Sequence, residues 1–289
     1  MSGVQRLMLR MQGGFCNRLR AIVSGVLWAE DLNCKLNIFW PVETEHMAST
    51  LEELIDPTSI PSLTIVRAGY LGNARQINSS SDMEAILNMF KGADEVRIES
   101  YSEFHPEVRN QRGLSILRGI RFNPEIERDA DLQWRLLDGK SDWVGIHFRG
   151  TDHWKCLKNS PISSFFKHLG SEGLRSEGLR SEGLGSEGLR SEGLRSGSKF
   201  YLATDEPSVK EEFTYRYGKE LVVNAGLELG RRTSKQQKAG IIEWLLLQKC
   251  MRIMGSAGSS YSELAALRSG CPYTPISEST PTESVETKG

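Results

Sequence analysis

The chain has 289 residues, 38% hydrophobic and 25% charged, with 36 basic and 37 acidic side chains and a formal charge of −1. Such a balance supplies no field for gathering nucleic acid or an anionic membrane surface, so any bound anion must be held by local groups. The length fits one large domain or two ordinary ones, and no apolar run approaches the roughly 18–20 residues that cross a bilayer.

Residues 4–11 read as a strand, and Gln5, Arg6 and Arg10 interrupt it too often for a secretory leader. A turn, Gly13-Gly14-Phe15-Cys16, leads into a helix over 17–31 with Leu19, Ile22, Val23, Val26 and Leu27 at helical spacing. Residues 35–40 form a second strand, stopped by Pro41. Strands at 63–66 and 95–99 and helices at 82–90, 109–118 and 124–137 complete a first α/β unit. Alternation of this kind predicts a parallel sheet covered on both faces.

The pattern restarts after Asp138-Gly139-Lys140, a polar stretch without periodicity. Strands are expected at 143–148, 199–203, 220–223 and 252–255, and helices at 161–169, 207–217, 235–250 and 260–268. The domains are therefore 1–138 and 139–276. Residues 170–196 carry a pentad repeat, Ser-Glu-Gly-Leu-Arg, with Gly185 replacing arginine once. A period of five cannot hold Leu174, Leu179, Leu184 and Leu189 on one face, so a mobile surface insertion is expected. The tail 277–289, rich in Ser, Thr, Glu and Pro, is expected to be disordered. The five cysteines (Cys16, Cys34, Cys156, Cys250 and Cys271) lack CxxC or metal spacing, which fits the reducing cytoplasm.

Four segments can carry chemistry. Gly13 to Arg20, between strand and helix, lets backbone amides approach an anion at a helix N-terminus. It is equally readable as a plain turn with Asn17 as helix cap. Gly145-Ile146-His147-Phe148-Arg149-Gly150-Thr151-Asp152-His153 ends a buried strand in a burst of polar groups. That is the carboxyl edge where open α/β sheets bind ligands. His147 and Arg149 alternate onto one face. Arg149 offers a fork of donors for phosphate, and Asp152 and His153 are proton-carrying candidates. A structural Arg149–Asp152 ion pair is the plainer reading. Asp205, after another strand, can cap a helix opened by Pro207 or touch a donor's hydroxyls. Ser259 and Ser260, in Gly255-Ser256-Ala257-Gly258-Ser259-Ser260, make a second phosphate cradle or an ordinary helix cap.

In this order the segments resemble the three sequence blocks of the GDP-fucose-dependent fucosyltransferases. These are the α1,6-fucosyltransferases, their bacterial chitin-oligosaccharide counterparts and the protein O-fucosyltransferases. His147-Phe148-Arg149-Gly150-Thr151-Asp152 resembles the HxRRTD block, Tyr201 to Pro207 is similar to the second block, and Glu243 to Glu263 to the third. The resemblance implies two facing Rossmann-like domains (the GT-B fold) and inverting transfer of fucose from GDP-fucose to a glycan or glycosylated acceptor. It implies neither metal nor other cofactor. Arg149 would clamp the β-phosphate, His147 and Glu243 the guanine, Ser259 and Ser260 the phosphates, and Gly13, Gly14, Asn17, Arg18 and Asp205 would complete the donor site. Gly150 stands where the block has a second arginine, Glu243 where the α1,6 branch has aspartate, and Leu157 near where that branch has an acid. The base then falls to His153 or Asp152.

Two other classes compete. A non-catalytic nucleotide-sugar or glycan binder could keep the scaffold without the base. A Rossmann oxidoreductase or methyltransferase would show GxGxxG and an acid after the second strand. The chain has Phe39-Trp40 there and no such fingerprint.

Overall fold

The computed structural model describes residues 4–43, 46–66, 75–77, 83–150, 158–171 and 199–278. Asp152, His153, Cys156, residues 172–198 of the repeat and the tail from 279 lie outside the described residues. The chain divides into two compact units, Met1–Asp129 with Glu228–Ile242, and Ala130–Leu227 with Glu243–Gly289.

The first unit runs β1 (Arg6–Met11), α1 (Phe15–Asp31), β2 (Lys35–Phe39), α2 (Leu51–Leu54), β3 (Leu63–Val66), β4 (Arg75–Gln76), α3 (Met83–Phe90), β5 (Glu95–Ser100) and α4 (Gln111–Gly119). Helix α5 (Pro124–Leu136) leads out of it. The sheet is parallel, in the order β3-β2-β1-β5-β4. Short α2 has a capping box, in which the Thr50 hydroxyl accepts from the Glu53 amide and the Glu53 carboxylate accepts from the Thr50 amide.

This sheet departs from the expectation of two covered faces. Leu7, Leu9, Met11, Leu36, Ile38, Val96 and Ile98 are buried. The alternate residues Met8, Arg10, Asn37, Phe39, Arg97 and Glu99 are partly or fully exposed. The reason is visible in the strands themselves, since Arg-Leu-Met-Leu-Arg-Met and Glu-Val-Arg-Ile-Glu-Ser alternate apolar with polar. Helix α1 covers the apolar face closely. A Cβ on Gly25 would stand 2.7 Å from Leu9 Cδ2 and 3.2 Å from Leu36 Cδ1, so only glycine fits at this distance.

The second unit contains β6 (Val144–Phe148), α6 (Ile162–Ser171), β7 (Phe200–Thr204), α7 (Pro207–Tyr217) and β8 (Val222–Val223). After α8 (Ser234–Leu247), which runs across the division between units, it continues with β9 (Arg252–Ser256), α9 (Ser260–Ser269) and β10 (Tyr273–Ile276). Its parallel sheet is ordered β10-β9-β6-β7-β8. Counted within the unit, this is the 3-2-1-4-5 order of doubly wound nucleotide folds. Every residue of β6 and β7 is buried. On one face Ile146, Phe148, Leu202, Phe165, Phe213 and Met254 form a single apolar cluster. Strand β10 was not legible because Pro275 interrupts it, and it is tolerated because β10 is an edge strand.

Candidate functional site

In a doubly wound sheet the ligand crevice opens where strand order reverses, beyond the carboxyl ends of the two central strands. In the second unit those strands are β6 and β9. Beyond β6 the Arg149 amide donates to Ser256 Oγ at 3.2 Å, and beyond β9 the Ala257 amide donates to Ser160 Oγ at 2.8 Å. Gly258, at φ +78°, turns the chain into α9. Ser259 is the N-cap residue of α9, yet its hydroxyl makes no capping bond. Ser259 Oγ is buried and has no hydrogen-bond partner.

Three more buried polar atoms nearby are unpartnered: His147 Nδ1, Glu243 Oε1 and Tyr201 OH. The pleat puts them together. His147 shares the face of Gly145, which packs against Leu247 and Cys250 at the end of α8 and just beyond it. Tyr201 pairs with Gly145 in the ladder, and Glu243 stands on α8. The His147 ring lies 4.7 Å from that of Tyr261 on α9, and Trp244 Nε1 fixes Tyr261 by donating to its carbonyl at 2.8 Å. A buried polar atom without a partner costs about 1–3 kcal/mol. These four in the second unit are candidate points of contact for a ligand.

Burial dominates their electrostatics. Glu243 is 1% exposed, and loss of water pushes its carboxyl up to about 8, against the pull of the Lys210 ammonium and a hydrogen bond from Asn224. Asn224 is held in turn by donation to the Leu202 carbonyl at 2.6 Å and acceptance from Lys210 Nζ at 3.0 Å. Burial lowers His147 to about 3, helped by the positive charge of Arg149. Near neutral pH these shifts favour a neutral imidazole at His147 and a protonated acid at Glu243.

Asp205 does not cap α7. The N-cap residue is Glu206, and Asp205 Oδ1 instead accepts from the Gly150 amide at 2.9 Å. This bond ties the loop after β6 to the loop after β7. Gly150 is confined, since a Cβ there would lie 2.6 Å from Glu206 Cβ. Ser260 opens α9 and is partly exposed.

The other expected group lies in the first unit. Helix α1 begins at Phe15, two residues earlier than expected, with Gly14 as N-cap residue, so Asn17 is not the cap. Gly13 adopts φ +71°, the left-handed region that favours glycine. Arg18 is fully buried. Its Nε donates to the Gly13 carbonyl and Nη1 to the Pro41 carbonyl, each at 2.8 Å, and its guanidinium stacks 4.6 Å from the Trp40 ring centroid. Burial lowers its pKa to about 10, and Nη2 has no partner. Arg18 thus shapes the glycine turn from beneath.

The structure gathers His147, Arg149, Asp205, Glu243, Ser259 and Ser260 in one unit, and Gly13, Gly14, Asn17 and Arg18 in the other. The sequence reading missed Tyr201, Asn224, Lys210, Ser256 and Tyr261. Tyr201 had a signal, a phenol inside an otherwise apolar strand. Asn224 and Lys210 had none, because only tertiary packing brings them to Glu243. Among the described residues no group of three or more His, Cys, Asp or Glu side chains gathers as a metal site. No described helix is long and apolar enough to cross a membrane.

No protein-family model matches the sequence, and no curated protein matches it either. Solved structures do match. The fucosyltransferase NodZ from Bradyrhizobium, as selenomethionine protein, aligns with TM-score 0.64 at 14% identity over 96% of each chain. A mutant of Arabidopsis thaliana FUT1 in complex with GDP gives TM-score 0.59 at 9% identity, covering 93% of this chain and 69% of that one. POFUT1 in complex with GDP gives 0.55 at 10% identity, over 96% of this chain and 99% of that one. At these identities the likeness is one of fold, an α/β architecture with two parallel sheets.

Proposed function

We propose that this protein is an inverting, metal-independent glycosyltransferase of the GT-B arrangement that moves fucose from GDP-fucose to a glycan or glycosylated acceptor. One observation carries the reading. Unpartnered buried atoms of His147 and Ser259 lie at the strand-order reversal of the second sheet and those of Tyr201 and Glu243 on β7 and α8, in the same unit as the one segment in which arginine, histidine and aspartate crowd a strand end. The fold shared with fucosyltransferases supports it.

The proposed roles follow from chemistry. A guanine edge presents N–H donors, for which Glu243 in its ionised form is the acceptor, with the His147 Nδ1 position and Tyr261 beside it. Ser259 and Ser260, at the positive end of α9, take phosphate oxygens. Arg149 neutralises charge on the departing diphosphate, the electrostatic work a metal would otherwise do. Gly13, Gly14 and Asn17 form a second anion-facing turn, held by Arg18. Asp152 or His153 removes the acceptor's proton. A pH–rate profile unchanged by His153→Gln excludes His153 from that step.

The departures Gly150 and Leu157 favour one second reading, a nucleotide-sugar binder without transfer. Incubation with GDP-fucose and a panel of glycans, read by mass spectrometry, separates the two. A mass gain of one deoxyhexose on an acceptor is expected. Binding of GDP-fucose without any transfer leaves the binder. Preference for UDP-sugars, GDP-mannose or NAD in a parallel binding screen overturns the donor assignment.

A further inference from the structure

A carboxyl group buried as deeply as that of Glu243 ionises only where a hydrogen-bond donor and a cation stand ready for it. Both come from outside the helix that carries it. Asn224, just after β8, has its side-chain amide fixed at both ends. Its Oδ1 accepts from Lys210 Nζ at 3.0 Å and from the Gly226 amide at 2.8 Å, while its Nδ2 donates to the Leu202 carbonyl at 2.6 Å. Turned over, the amide would set its N–H groups against an ammonium and a peptide N–H, and its oxygen against a carbonyl. The N–H end is therefore the end that meets Glu243. Behind Asn224 stands the Lys210 ammonium on α7, whose charge draws Glu243 toward ionisation. Glu243 Oε1 is left buried and without a partner.

We propose that Lys210 and Asn224 are positioning residues for nucleotide binding. Asn224 orients the Glu243 carboxyl, and Lys210, seated on Asn224, supplies the charge that lets this carboxyl ionise against a guanine edge. The inference rests on the donor reading above and adds what makes its acid usable. A purely structural role, in which Asn224 closes the β7–β8 ladder at Leu202, accounts for one of its bonds and gives lysine and acid no part. The other titratable groups around this face come from each element packed there. Asp205 after β7 opposes Lys210, Tyr201 in β7 faces Glu243, and Cys250 follows α8. Tyr261 on α9 lies against His147, on which Arg149 acts. Burial raises the Tyr201 phenol and the Cys250 thiol, so neither takes up charge near neutral pH.

The full chain and its variants are titrated with GDP, and separately unfolded in urea without ligand, from about pH 6 to 9. Lys210→Met is expected to move the rise in GDP affinity upward by about one pH unit, which weakens GDP up to about tenfold below that rise. Lys210→Arg restores a cation and most of the affinity. Asn224→Asp keeps an acceptor toward Lys210 and Gly226 but sets a carboxylate against Glu243, and is expected to weaken GDP at least about tenfold. Without ligand, the fall in stability with rising pH that Glu243 contributes ends near about 8 in the parent and is expected to continue about one unit further in Lys210→Met. Adding Glu243→Gln abolishes that extension, which a merely structural lysine would not produce. An unmoved GDP rise in Lys210→Met overturns the proposal, as does an extension that persists when Glu243 is already glutamine. A parent protein that binds no GDP strikes the donor reading, and the ligand-free slopes then decide by themselves whether Lys210 acts on Glu243.

Discussion

The two sheets have the same strand direction and nearly the same strand order, yet they treat their faces differently. Strands β6 and β7 are buried at every residue, whereas β1 alternates between buried and accessible. A sheet enclosed on both sides can hold polar atoms out of water, which is how Glu243 and His147 come to be displaced so far from their ordinary titration ranges. The second face of the first sheet is only partly covered. Its Arg10 and Glu99 remain paired in partial contact with solvent. The enclosed sheet is therefore the one in which burial tunes polar groups most strongly.

That contrast can be attacked at several points. Ile146→Ala, in the enclosed sheet, is expected to lower unfolding free energy by about 2–5 kcal/mol in urea titrations. A cost below about 1 kcal/mol would mean that the enclosure is loose. Arg149→Ala is expected to reduce turnover at least about a hundredfold, as for removal of one strong oxyanion donor. Full activity in that variant removes Arg149 from the chemistry.

The two displaced groups give opposite pH signatures. Glu243, raised from 4.5 to about 8, binds a proton in the folded state that the unfolded chain has released, so its stabilising contribution falls as pH rises from 4.5 to 8. His147, lowered from 6.5 to about 3, lacks a proton that the unfolded chain binds, so its contribution falls as pH drops from 6.5 to 3. Each slope is at most about 1.4 kcal/mol per pH unit. The two cancel between 4.5 and 6.5. Glu243→Gln should flatten stability between pH 6.5 and 8. The same variant should remove a rise in GDP affinity with pH, because the carboxylate must ionise to accept from the base. A parent protein whose GDP affinity is flat from pH 6 to 8 contradicts that role. The smallest effect belongs to the open face, where Asn37→Ala is expected to change stability by no more than about 0.5 kcal/mol.

Much of this contrast could be read before any coordinates. The continuous apolar runs Val-Gly-Ile-His-Phe and Phe-Tyr-Leu-Ala-Thr announce strands with two buried faces, and Arg-Leu-Met-Leu-Arg-Met announces one. The expectation that both sheets are enclosed came from counting alternating helices and strands and overlooked this difference in pattern. The candidate residues His147, Arg149, Ser259 and Ser260 are legible because they stand at or just past strand ends with abrupt changes of polarity. Glu243 is different. It lies mid-helix, in a stretch with no chemical signature of its own, and entered only through resemblance. Lys210 and Asn224 become meaningful only when α7 and the segment after β8 converge on it. Of the two readings of Asp205, helix cap or contact with a donor's hydroxyls, the cap suggested by nearby Pro207 gives way to acceptance from the Gly150 amide.

Gly150 limits what the bend after β6 can accept. Any side chain there would meet Glu206 Cβ at 2.6 Å before reaching anything else. A larger residue at position 150 therefore needs a compensating change near residue 206, or a shift of the whole bend.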